Sequence, residues 1–144
     1  MTKRKAGRSV GRNARRGVGD LVRLAAMARA RAHAPFSRFK VGAALRTRTG
    51  EIVTGCNIEN ATYGLTVCAE RVAVWKAVSE GIEGFDAVAV IADSKRATAP
   101  YGPCRQILWE FCGDIWVHMA DVRGKVLSRR LSELLPLPFD ARNL

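Results

Sequence analysis

No apolar run in the 144 residues reaches the roughly 18 needed to cross a bilayer, and no apolar stretch follows the basic beginning as in a secretory signal. Neither a membrane span nor secretion is therefore expected. Acidic residues are nearly missing from the start. Residues 1–20 hold seven of the 24 Lys/Arg and only Asp20 of the 13 Asp/Glu, so +6 of the net +11 lies there. With several glycines and almost nothing to bury, 1–20 reads as a basic disordered tail ahead of a single domain over 21–144. Its charge suits weak contact with nucleic acid or an anionic surface, a solvated extension, or an organellar transit segment. Histidine is scarce, with His33 near the end of a first helix and His118 inside an apolar run. Both read as structural residues rather than ligands. Four cysteines (Cys56, Cys68, Cys104, Cys112) would allow two disulfides. Their placement at helix starts, in a chain with ordinary core residues, instead points to reduced thiols in a cytoplasmic protein.

The chain is organised around residues 55–73, GCNIENATYGLTVCAERVA. Here Cys68-Ala-Glu70 sets a thiol and a carboxylate two residues apart at a helix start, and Val72, Trp75 and Ser79 continue the helical period. Pro103-Cys104-Arg105-Gln106 opens a second helix with another thiol. The positive end of each helix lowers a thiol pKa, and thiolate is the form that binds zinc. A carboxylate beside such a metal can move protons to and from bound water. Asn57 and Glu59 follow a strand and point to one side if the chain stays extended; together they can hold a sugar hydroxyl by donor and acceptor.

At these residues the sequence resembles the cytidine deaminase family. The C-A-E step, the N-x-E-x-A-x-Y-G run over 57–64 and C-R-Q over 104–106 match its pattern, and the likeness extends from about Leu21 to Phe139. The resemblance implies a zinc-dependent hydrolase of cytidine or deoxycytidine in pyrimidine salvage. Glu70 would be the proton shuttle, Cys68 and Cys104 zinc ligands, and Arg71 and Gln106 their supports. It also implies a small-molecule nucleoside substrate, with Asn57 and Glu59 on the ribose and Phe39 beside the nucleoside. A homotetramer is implied too, with Tyr63 and Phe139 borrowed across interfaces to close neighbouring sites.

The coarse reading of elements agrees. Leu21, Leu24, Ala25, Ala28 and Ala32 mark a first amphipathic helix, capped by Asp20 and stopped before Pro35. A hairpin of strands 39–47 and 51–55 turns at Gly50. Apolar runs at 86–92 and 115–120 are interior strands flanking a helix that starts near Cys104 and turns Leu108 and Phe111 inward, which implies a parallel pair with a right-handed crossover. Cys112 lies two turns beyond Cys104, too far to share its metal. Asp121 to Gly124 is a turn into a strand over 125–130, and a short helix follows at 131–135. The order α-β-β-α-β-α-β-β gives an α/β protein, a three-layer α/β/α fold of the cytidine deaminase type around a mixed five-stranded sheet.

One position departs from the pattern. The family has P-C-x-x-C before R-Q, with both cysteines on zinc, and here Pro100-Tyr101-Gly102-Pro103-Cys104 puts tyrosine at the first. A catalytic zinc takes three protein ligands and one open position. A phenol oxygen is harder than a thiolate and stands much farther from the backbone. Three readings stay open: a zinc cytidine deaminase with a weakened site, a nucleoside-binding pseudoenzyme without stable zinc, and a nucleic-acid-binding protein using the basic tail. Against the last, a site that grips ribose hydroxyls has no room for a continuing strand.

Overall fold

The structure, a computed structural model, describes residues 17–144. The tail expected over 1–20 falls mostly outside them, and its last three residues are already helical. Helix α1 spans Val18–Arg29, with Gly17 as its N-cap. Asp20, expected as the cap, sits in the first turn instead. There its carboxylate still faces the positive helix end and pairs with Arg23 at 3.7 Å. The helix ends well before Pro35, so His33 is not a helical residue. Its backbone bridges to the segment after the hairpin: His33 N donates to the Asn57 carbonyl at 3.0 Å, and Glu59 N donates to the His33 carbonyl at 2.8 Å.

Strands β1 (Val41–Thr47) and β2 (Ile52–Cys56) form the hairpin, turning at Gly50 with φ 89°. Helix α2 (Ala69–Ser79), strand β3 (Phe85–Ala92), helix α3 (Gly102–Cys112), strands β4 (Trp116–Asp121) and β5 (Val126–Arg130) and the short helix α4 (Leu131–Leu134) follow in that order. The sheet runs β2-β1-β3-β4-β5, antiparallel except for the parallel pair β3–β4 joined through α3. It is the mixed five-stranded sheet expected. Asp121 makes the turn into β5, its Oδ1 accepting from Arg123 N at 2.8 Å and Lys125 N at 3.1 Å.

The two faces of the sheet are packed differently. On one, Leu45, Val88, Val90 and Val117 meet Val74 of α2 and Leu108 of α3. On the other, α1 lays Leu21 and Ala25 on Ala44, Ala87, Ala89 and Ala120. Two glycines permit these close approaches. A Cβ at Gly42 would stand 1.9 Å from the Ala25 carbonyl oxygen of α1, and one at Gly55 would stand 2.4 Å from that of Ala69 in α2. Helix α2 therefore buries Ala69, Glu70, Ala73, Val74 and Ala77, while Trp75 and Ser79 face outward. Phe111 is also exposed, contrary to expectation. The inward stripe of α3 runs Cys104, Leu108, Cys112, a spacing of four, and leaves Phe111 beyond its edge.

Val41 pairs with Ala92 and Gly42 with Cys56, so the start of β1, the end of β2 and the end of β3 share one edge of the fold. The segments beyond them, 36–40, 57–68 and 93–101, converge there with the N-termini of α2 and α3. A crevice outside the carboxyl end of a parallel strand is where sheets of this kind hold ligands.

Candidate active site

Cys68 is the N-cap of α2, and Cys104 is the third residue of α3. The two thiols come within hydrogen-bonding reach of each other. Cys104, fully buried, donates to the Cys68 sulfur, which brings Cys68 down to about 7 against the opposing effect of burial. The same bond, with burial, raises Cys104. Helix starts were expected to lower both thiols; instead Cys68 is lowered and Cys104 is raised. Burial raises the Arg71-flanked carboxyl of Glu70 as well, which is 4% exposed and has no hydrogen bond to another side chain. Arg71 lies against both sulfurs and Glu70, and its buried Nε has no partner.

Cys68 and Glu70 line a pocket of about 290 Å³, whereas Arg71 and Cys104 do not line it. Asn57 and Glu59 line the same pocket, both buried. Asn57 accepts from Val41 N at 2.8 Å through Oδ1 and donates to the Phe39 carbonyl at 2.7 Å through Nδ2. Glu59 Oε1 accepts from Phe36 N at 2.9 Å and Ser37 N at 3.1 Å, and Oε2 accepts from the Ser37 hydroxyl. The Ser37 hydroxyl is the largest of the influences that lower the Glu59 carboxyl below its usual range. The two side chains thus hold the loop that carries Phe39 while keeping one N–H and some acceptor capacity for a ligand. Arg38 takes φ 60° in that loop, a left-handed conformation uncommon outside glycine.

Phe39, Asn57, Glu59, Tyr63, Cys68 and Glu70 are brought together around this pocket. Gln106 and Phe139 are not: Gln106 Nε2 donates to the Phe139 carbonyl at 2.7 Å, and Phe139 is exposed outside its own chain's pocket. Ser37, Thr98 and Arg105 escaped the sequence reading. Ser37 and Thr98 line the pocket; Arg105 holds the chain before α3, with Nε on the Pro100 carbonyl at 2.8 Å and Nη1 on that of Leu134 at 2.9 Å. Nothing local flags Ser37, since its partner Glu59 is 22 residues away. His118 is the strand residue expected, buried with Nδ1 2.7 Å from the Ser128 hydroxyl. Cys112 packs in the core, where burial pushes its thiol up to about 12.

Residues 18–120 match the model of the cytidine and deoxycytidylate deaminase zinc-binding region. The chain belongs to this deaminase family. It is 47% identical over 125 residues to a cytidine deaminase of Halalkalibacterium halodurans, covering 86% of this chain and 95% of that one. To a cytidine deaminase of Sporosarcina psychrophila it is 43% identical over 128 residues, covering 88% and 94%. The crystal structure of cytidine deaminase from Burkholderia pseudomallei superposes with a TM-score of 0.84 at 40% identity, over 86% of this chain and all of that one. A deaminase of this family uses zinc, and two of the donors here suit it: paired thiols at helix starts, with a cationic guanidinium beside them that lacks a hydrogen-bond acceptor at Nε. The third place does not. Tyr101, the N-cap of α3, is 63% exposed at the pocket rim, and among the described residues no three His, Cys, Asp or Glu are grouped to hold a metal ion.

Proposed function

We propose that this deaminase converts cytidine and deoxycytidine hydrolytically to uridine and deoxyuridine, a salvage reaction. One observation carries the reading: Glu70 is buried beside the two thiols, without a side-chain partner, on the wall of a pocket that an amide and a carboxylate, Asn57 and Glu59, also line. Zinc held by Cys68 and Cys104 would supply the activation of water. Glu70 is placed to move the two protons of the attacking water in turn, one to N3 and one to the departing amino nitrogen of the base. Arg71 offsets the negative charge of the sulfurs. The unused N–H of Asn57 and the remaining acceptor capacity of Glu59 match one sugar hydroxyl, which donates to the carboxylate and accepts from the amide. The Phe39 ring packs against the bound nucleoside.

Tyr63 and Phe139 are exposed and lie near or beyond the pocket rim, which supports their use in a neighbouring subunit's site within a homotetramer. Free cysteines, the pair at the site above all, suit the reducing cytoplasm. Among the described residues no helix is long and apolar enough to cross a membrane. Ammonia release from cytidine, deoxycytidine and free cytosine, measured with added zinc, tests the reading. Turnover of both nucleosides and not of cytosine is expected. No turnover of either nucleoside would remove the deaminase reading, and equal rates with cytosine would remove the sugar clamp.

A further inference from the structure

Resting on the zinc deaminase reading, we infer that this chain holds its metal through two protein thiolates only. Tyr101 stays outside the coordination sphere, and the zinc is weakly bound and exchangeable. The backbone at the cap is suitably placed for a ligand. Tyr101 and Cys104 stand three residues apart at the start of α3, a spacing that brings side chains to one side of a helix. Arg105 ties the Pro100 carbonyl at 2.8 Å, which holds the chain immediately before the cap. The side chain is what fails. A donor to the same ion as a sulfur must come within about 2.3 Å of that ion. Cys104 is fully buried, so such a donor is drawn inward with it, and Tyr101 is 63% exposed.

Among the described residues no other group fills the gap. Thr98 and Ala99, its neighbours on the pocket wall, offer no thiolate, imidazole or carboxylate. Glu70, close as it is, does not form a three-donor group with the cysteines. The charge balance points the same way. A divalent ion with three thiolates carries −1, which Arg71 would neutralise. With two thiolates the ion is already neutral, and Arg71 leaves the loaded centre positive, Glu70 apart. The unpartnered Nε of Arg71 fits a cluster that is short of an acceptor.

Zinc affinity of the full chain, purified under reductant, is measured by competition with a chromogenic chelator, and retained zinc is counted after dialysis. The wild type and Tyr101→Phe are expected to bind equally weakly and to lose zinc on dialysis. Tyr101→Cys is expected to keep one zinc per chain with affinity at least about 100-fold tighter, since one ligand in four carries a large share of site affinity. Wild type that retains one zinc per chain overturns the inference, as does a Tyr101→Phe protein that binds measurably more weakly than wild type. These two comparisons decide the matter even if Tyr101→Cys does not fold. Cytidine turnover by zinc-loaded Tyr101→Cys separates this inference from the one it rests on. Tight zinc without turnover removes the deaminase reading and leaves the coordination inference standing, whereas tight zinc with turnover in the wild type does the reverse.

Discussion

In the proposed reaction Glu70 holds a proton at one moment and releases it at the next, and burial without a side-chain partner leaves it free to do both. In zinc-loaded protein, Glu70→Gln is expected to lower kcat by about 10²–10⁴-fold, the usual contribution of a positioned acid–base group. Zinc per chain should stay unchanged, because a shuttle is lost and a ligand is not. Steady-state kinetics paired with metal analysis checks this, and a parallel loss of zinc would make Glu70 a ligand instead. At this scale much was legible in the chain itself. A thiol and a carboxylate two apart at a helix start announce their chemistry through spacing, whereas Asn57 and Glu59 do so only within the family's N-x-E-x-A-x-Y-G run over 57–64. Ser37 does not, because a serine acquires a role only when the fold sets its hydroxyl on Glu59.

Helix α2 presents Cys68 and Glu70 only because Gly55 lets it settle on β2. A methyl group there would meet backbone at 2.4 and 2.6 Å, from the Ala69 oxygen and the Ala73 nitrogen. Gly55→Ala is expected to cost about 1–3 kcal/mol, as overpacking does, read as a lower urea midpoint at unchanged m. Turnover should fall with it; an unchanged midpoint would mean that α2 does not rest on that strand. Strands β4 and β5 carry a second test. Burial, reinforced by the Arg46 cation and opposed by Asp86, lowers the proton affinity of His118. Above the ordinary imidazole value of about 6.5, both folded and unfolded chains are neutral there, and the full stability is present. Below it the unfolded chain takes up the proton first, so stability declines as pH falls. His118→Gln should flatten the decline between pH 7 and 5.5, measured by urea unfolding; equal slopes in the two proteins would sink the idea. The lowered carboxylates Glu59 and Asp114 act at lower pH, below the usual carboxylate range, and do not obscure that window. Element order was readable from apolar period and from turns such as that at Gly50. The buried faces were less so: Phe111 and Trp75 are large and apolar yet exposed, since α2 and α3 meet the sheet through smaller residues.

As a whole, the molecule sets its pocket at an edge where exposed Tyr63 lines it, with Leu65 and Phe139 exposed on the surface. A homotetramer in which neighbours cover these groups is the expected assembly, and light scattering at micromolar concentration should give four times the chain mass. A stable monomer would overturn that expectation. Between sequence and fold the division of labour is physical. Composition, apolar period and short-range spacing act over a few residues, so the chain alone determined an α/β architecture, two helix-start thiols and the carboxylate beside one of them, while Tyr101 stands out only against the family's pattern. Distances between segments far apart in the chain depend on how helices and strands pack. Only the tertiary structure therefore decided that Cys68 and Cys104 come within hydrogen-bonding reach, that Glu59 is held by Ser37, and that Arg71 lies against the sulfurs with one N–H unpaired. It also left Tyr101 63% exposed at the N-cap of α3 while Cys104 is fully buried, because a side chain at the start of a helix can reach solvent that one a turn further in cannot.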